Sequence, residues 1–278
     1  MSKLKRMYVF DNGVQYNDKS TMLAGYNVAT FRDQKKVSTY ITIPIQTFLF
    51  QCDDGYVLFD TACDPEFAQH WPADMLERSP YIYPENGLLP DRLRELGLLP
   101  DDIGTVVMSH LHNVHAGCLH MFKKATVYVN NAEITTAVRN YVLKEPSDVH
   151  IPTDIKAIID AELTWRPVME DEFEVPVAQG LTIVNFGSGH SWGMLGLRVD
   201  LENSGSFLLV SDALYSAENY GPPVHMPGIV YDTIGYARTA KVIEKYCAAH
   251  GCRILFGHDA EQFAGLKTVS YTHLTLPT

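Results

Sequence analysis

The stretch "SHLHNVHAG", Ser109 to Gly117, places three histidines within six positions: His110, His112 and His115. Imidazole nitrogens suit first-row cations such as zinc or iron, and a hydrolytic centre needs several of them converging while one coordination position stays open for water. His110 and His112 lie two apart, so an extended segment points both the same way, whereas His115 falls beyond a turn. One short loop could therefore serve two adjacent cations. Three further candidates stand at the ends of strand-like runs: His190 in "GSGHSWG", Asp212 in "LLVSDALY" and His258 in "ILFGHD". Each alone would be weak, because an Asp at a strand end commonly caps the turn that follows. Together they supply five histidines and a carboxylate, the donor stock of a two-metal hydrolase in which the carboxylate bridges the ions.

Such residues need rigid elements to carry them. "TFLFQCDDGYVLFDTA", Thr47 to Ala62, reads as a hairpin of β-branched and aromatic runs around Asp53-Asp54-Gly55. "LLPDRLRELGLLPDDI" predicts a helix that starts near Pro90 and Asp91 and stops at Gly97. "TVVMSH" is a short buried-strand run, so His110 falls at a strand's C-terminal end, where open α/β layers place their sites. "TVYVNNAE" is a strand entering a helix, and three strands separated by glycine-bearing turns follow from Leu181. An amphipathic helix spans Ala237 to Gly251, and "CRILFGHD" adds a last strand. Strands with interspersed helices, without strict βαβ alternation, indicate two packed sheets with helices outside. The segment Ala137 to Asp171, with a helix around Ile155 to Leu163, reads as an insertion, either a lid over the site or a surface excursion.

No repeat, charge block or flexible linker divides the 278 residues, so residues 1–268 are expected to form one domain. Val269 to Thr278, "VSYTHLTLPT", follows no pattern that joins it to "HDAEQFAGLK" and is expected to be a non-native or disordered tail. With 33 acidic against 22 basic side chains the formal charge is −11, which disfavours a nucleic-acid partner held by clustered Lys and Arg. In the opening residues only Met7 to Phe10 are apolar before Asp11, short of a signal segment or a membrane span. Five cysteines without a C-x-x-C pair fit a reducing compartment, so a cytoplasmic location is expected.

"HLHNVHAG", "GSGHSWG", "SDALY" and "FGHD", in this order, resemble the metallo-β-lactamase superfamily, and within it the N-acyl-homoserine lactonases. The resemblance runs from about Thr47 to Gln262, and "LFDTA" with Asp60 is similar to the superfamily's early strand-end Asp-Thr. It implies an α/β fold, a four-layer αββα sandwich of the metallo-β-lactamase type. It further implies that His110, His112 and His190 hold a first cation, His115 and His258 a second, and that Asp212 bridges them. The implied cofactor is Zn2+, one or two per chain, with iron or another divalent metal as the alternative. Tyr215, three residues after Asp212 as in those enzymes, is implied to polarise the carbonyl of a lactone substrate during ring opening, and a homodimer is implied as well.

The departure from the family's H-x-H-x-D-H pattern is Val114. The family's aspartate both binds the second metal and carries a proton near the leaving group, and an isopropyl group does neither. Lower second-site occupancy and impaired turnover are expected. The alternatives are another ester or thioester hydrolase of the superfamily, or a degenerate, non-catalytic metal-binding member. Asp60 is expected to orient a ligand histidine through its other ring nitrogen, Cys118 to be a small buried residue, and His120 to lie at the surface or behind the site. "MLAGYNVATF" and "YIYPENGLL" suit core packing, or a cleft for an acyl chain.

Overall fold

The computed structural model describes Leu4 and residues 6–147, 149–268 and 274–275. The strands are β1 (Arg6–Asp18), β2 (Tyr40–Cys52), β3 (Gly55–Phe59), β4 (Tyr81–Ile82), β5 (Ile103–Val107), β6 (Thr126–Asn130), β7 (Thr164–Val168), β8 (Glu174–Ala178), β9 (Leu181–Gly187), β10 (Met194–Leu201), β11 (Gly205–Ser211), β12 (Cys252–Phe256) and β13 (Leu274–Thr275). The helices are α1 (Lys19–Met22), α2 (Phe67–His70), α3 (Ala73–Arg78), α4 (Leu89–Glu95), α5 (Asn113–Ala116), α6 (Asn131–Leu143), α7 (Pro152–Asp160), α8 (Ala217–Tyr220), α9 (Thr233–His250) and α10 (Ala260–Thr268). One sheet runs β13-β1-β2-β3-β5-β6-β7, with β4 beside β1, and the other runs β12-β11-β10-β9-β8.

Both faces of each sheet are covered, which explains why the strands read as unbroken apolar runs rather than alternating ones. In β2 and β3, Phe48, Phe50, Val57 and Phe59 point into the seam between the sheets, where they meet Leu197, Phe207 and Leu209. The residues between them, Leu49 and Leu58, point the other way, onto Leu89 and Leu93 of α4 and Ile155 and Ile158 of α7. Leu208 and Val210 of β11 pack outward onto Tyr236, Ala240 and Ile243 of α9. Helix, sheet, sheet, helix is the expected αββα order. The expected tail falls largely on residues 269–273 and 276–278, outside those described; Leu274 and Thr275 run parallel to Met7 and Tyr8 of β1.

The sequence reading left out β1, and the structure shows why. A bulge between Asp11 and Val14 breaks the antiparallel register with β2. At its centre Gly13 has φ +101°, and a Cβ there would come within 2.4 Å of the Ile82 carbonyl oxygen. The strand therefore changes its inward face halfway along, and no single two-residue period describes it.

The segment 137–171 is neither a free lid nor an excursion. Ile151, Ile155, Ile158 and Leu163 are buried in the core outside the first sheet, and of the described residues in this stretch Val149 alone lines the main cavity. The same docking buries Asp154, with neither carboxylate oxygen hydrogen-bonded among the described residues. Burial, followed by the nearby Asp64 charge, pushes its pKa from 3.8 up to about 8, against the opposing pull of His70. Between about pH 4 and 8 the unfolded chain releases a proton that the folded chain keeps, so this group lowers stability as pH rises.

Two predictions follow from this packing. Asp154→Asn should raise stability at neutral pH by more than about 1 kcal/mol, with the gain vanishing near pH 4, in urea titrations at several pH values. A gain independent of pH would contradict the assignment. At Gly117, a Cβ would lie 1.9 Å from the Asp64 backbone nitrogen, so Gly117→Ala should cost at least about 1–3 kcal/mol of unfolding free energy. An unchanged urea midpoint would show that this loop contact yields.

Candidate metal centre

Four strand ends meet at one rim of the sandwich. Parallel β5 delivers His110 after Met108 and Ser109; His112 then stands at the N-cap of α5, whose single turn carries Val114 and His115. From the other sheet, β9, β11 and β12 end shortly before His190, Asp212 and His258. All six side chains are buried. Asp212 is the hub: its Oδ1 lies 3.3 Å from His115 Nε2 and 3.0 Å from His258 Nε2, and its Oδ2 lies 3.3 Å from His190 Nε2 and 3.8 Å from His110 Nε2. His112 Nδ1 is 2.9 Å from His190 Nε2. The six expected ligand residues thus lie around one point: ligand atoms of His110, His112 and His190 are within 4.8 Å of one another, as are those of His110, His115 and Asp212, and His258 touches Asp212.

What lies behind each ring fixes which nitrogen faces inward. The Nδ1 atoms of His190 and His258 point at the carbonyl oxygens of Ile229 (3.0 Å) and Pro44 (2.8 Å), which only an N–H can approach. Ser109 Oγ donates to Asp60 Oδ2 at 2.8 Å, so at 2.9 Å it accepts from His110 Nδ1. His115 Nδ1 lies 2.9 Å from the same Asp60 oxygen, the outer contact expected of Asp60. Four rings are therefore held with Nε2 turned to Asp212. The Nε2 atoms of His110 and His115 and Oδ1 of Asp212 have no hydrogen-bond partner despite their closeness. Lone pairs facing lone pairs in a buried space fit a cation between them.

The ionisation pattern agrees with that fit at three of the rings. Burial holds His110 and His112 well below the ordinary imidazole pKa, helped by the neighbouring imidazoles, and burial lowers His190 too. These three are neutral, the form a metal ligand must have. At His115 burial also opposes charge, but the carboxylates of Asp212 and Asp60 outweigh it and push the ring up to about 10. Burial works against the Asp212 carboxylate, and His258 and His115 nonetheless hold it well below the usual range. The half of the site around His115 thus has a charge-rich environment, and the half around His112 a neutral one.

Val114 is 8% exposed and lines the same cavity as Asp212 and His258, so an acid at this position would face the centre. No other carboxylate among the described residues stands in for it on the cavity wall, where Asp212 is the one acid. Tyr215 is buried with its hydroxyl 3.2 Å from His190 Nδ1, and burial together with Asp212 raises its pKa well above the ordinary phenol value. The cavity measures about 510 Å³, within the range of small-molecule sites. Cys118 is fully buried, with its thiol on the Cys63 carbonyl at 3.2 Å, and His120 Nδ1 meets the Gly117 carbonyl at 3.1 Å. Neither joins the centre.

The sequence reading missed Glu133 and His150. Glu133 is fully buried in the first turn of α6 and accepts from Leu111 N (2.9 Å), Ser191 Oγ (2.6 Å), Gly193 N (3.2 Å) and His150 Nε2 (3.0 Å). It ties the loop of His110 and His112 to the loop of His190. Asn130 followed three residues later by glutamate looks like an ordinary helix start, and Asn130 does cap α6 through Ala132 N. The tertiary role of Glu133 is hidden behind that local one.

This fold and this cage are those of a metal-centred hydrolase. The metallo-beta-lactamase superfamily profile matches residues 42–235, and the chain belongs to that superfamily. It is 44% identical over 264 residues to N-acyl homoserine lactonase AiiB of Agrobacterium fabrum, covering 94% of this chain and 96% of the relative. AiiB of Rhizobium rhizogenes is 43% identical over the same span. Among solved structures, a B. thuringiensis AiiA mutant with N-decanoyl-L-homoserine bound at the active site superposes with a TM-score of 0.78 at 22% identity, over 95% of this chain and 96% of that one.

If Asp60 holds His115 and Ser109 as described, Asp60→Asn should weaken metal retention about 10–100-fold, read by titration with a chromogenic chelator. Unchanged retention with unchanged stability would remove Asp60 from that role.

Proposed function

We propose that the chain hydrolyses the ring of N-acyl homoserine lactones at a zinc centre that is complete at one position and deficient at the other. The observation that carries this reading is the convergence of His110, His115, His190 and His258 on Asp212, with His112 against His190 and with the Nε2 atoms of His110, His112 and His115 lacking a hydrogen-bond partner, beside a cavity lined by His112, His190, Asp212 and His258. The 44% identity to AiiB across nearly the whole chain supplies the substrate class. His110, His112 and His190 would hold the first cation, His115 and His258 the second, with Asp212 shared. Nitrogen-rich donor sets with a carboxylate suit zinc, with iron as the alternative. Bound there, divalent cations would polarise the lactone carbonyl and acidify water enough for attack at neutral pH.

The chain's own residues do the rest. The cavity puts His190, Asp212, Tyr215 and His258 on one wall, against which the lactone ring would lie. Tyr215 stays protonated at neutral pH and can give its hydroxyl hydrogen to the carbonyl oxygen as charge develops there. The ring oxygen, once released, needs a proton, and Val114 offers none. It also leaves the second position with two imidazoles and a shared carboxylate. A second reading, a metal-binding member without turnover, rests on this same residue. The proposal includes a cytoplasmic location and a homodimer; no helix among the described residues is long and apolar enough to cross a membrane.

Mass spectrometry of the native protein should find the first site filled and the second partly filled. Val114→Asp should raise second-site occupancy and increase lactone opening by up to about 10²–10⁴-fold, the usual worth of a positioned acid. Two tightly held ions in the unmodified protein, or no gain in either measure on substitution, would sink the assignment.

A further inference from the structure

The cavity has a second polar region, on the wall formed by β1 and the end of α3, that the hydrolytic centre does not use. Gln15 and Asn17 stand two apart on β1 and are buried, while Tyr16 between them is 36% exposed. That is the inverse of what burial alone selects, since the amides face in and the aromatic ring faces out. Both amides line the cavity, beside Ser79 and Arg78.

Their hydrogen bonds form a closed ring. Ser79 Oγ donates to Asn17 Oδ1 (2.8 Å), Asn17 Nδ2 donates to Gln15 Oε1 (3.1 Å), and Gln15 Nε2 donates to the Ser79 carbonyl oxygen (3.2 Å). Each amide oxygen is engaged, while each NH2 group commits only one of its two hydrogens in this ring. Arg78 adds a cation whose side chain is 55% exposed, with Asp74 at 4.0 Å as its ion-pair neighbour. The surplus capacity of this wall is donor, not acceptor. Apolar groups fill other parts of the cavity, among them Met22, Ile43, Val114 and Val149.

From this wall we infer that Gln15, Asn17 and Arg78 recognise a carbonyl oxygen on the acyl chain, so that the protein prefers 3-oxoacyl over unsubstituted acyl homoserine lactones. The inference rests on the lactonase reading above. A cavity of about 510 Å³ is equivalent to a sphere about 10 Å across, so a ring held at the histidines brings the first acyl carbons toward the opposite wall. An unsubstituted methylene there leaves the spare N–H groups facing hydrocarbon, whereas a carbonyl oxygen accepts from them.

Isothermal titration of the full-length protein with ring-opened N-(3-oxohexanoyl)-homoserine and N-hexanoyl-homoserine tests this without requiring turnover. The 3-oxo product should bind about 3- to 10-fold tighter, the range of one or two added hydrogen bonds. Asn17→Leu should bring the ratio toward one. Should that buried change prevent folding, Arg78→Gln, at an exposed side chain, should still lower the ratio. Equal affinities in the unmodified protein, or a preference that neither variant reduces, would overturn the inference and leave the lactonase reading standing. Binding of neither product, together with no opening of either lactone by the unmodified protein or by Val114→Asp, would overturn both.

Discussion

Nitrogen and oxygen lone pairs that converge in a buried space cannot satisfy one another, and this constraint organises the whole rim of the molecule. The ring protons of His110 and His190 are committed outward, to Ser109 and Ile229, and burial keeps both rings neutral, so their inward nitrogens have nothing to donate to Asp212. Only an electropositive occupant resolves that arrangement at low cost. The outer hydrogen bonds are therefore as much a part of the centre as the ring atoms that face it.

Positioning of this quality requires rigid supports from both sheets. His110 and Asp60 follow parallel strands of one sheet, and Asp212 and His258 follow parallel strands of the other. Asp60, Ala62 and Ser211 all take positive φ at these ends, a conformation that costs non-glycine residues energy and that the surrounding hydrogen bonds must hold in place. Ser211 Oγ donates to Ser109 Oγ at 2.9 Å, and so links the two sheets directly behind the site. Glu133 makes the other link, between the loops of His112 and His190.

The centre is lopsided. Around His112 and His190 the donors are neutral and well enclosed, while at His115 the carboxylates of Asp212 and Asp60 outweigh burial. Val114 places no carboxylate beside His115, so on the proposed reading Asp212 would serve both cation positions. The isopropyl group itself packs into the core outside the first sheet.

Much of this was readable along the chain, because the signals are local. Three histidines within six positions, a glycine-turned hairpin at Asp53 to Gly55 and apolar runs ending in His or Asp all report on a few neighbouring residues, and that was enough for the layers and for the six converging side chains. The residues that escaped are those whose partners lie far away in sequence. Glu133 imitates a helix start, while Gln15 and Asn17 interrupt a strand with polar groups because β1, past its bulge, faces a cavity instead of the core. Sequence by itself determined which chemical groups are present and at what local spacing. Tertiary structure alone decided which nitrogen of each ring faces inward, since that depends on carbonyls and hydroxyls up to 214 residues distant.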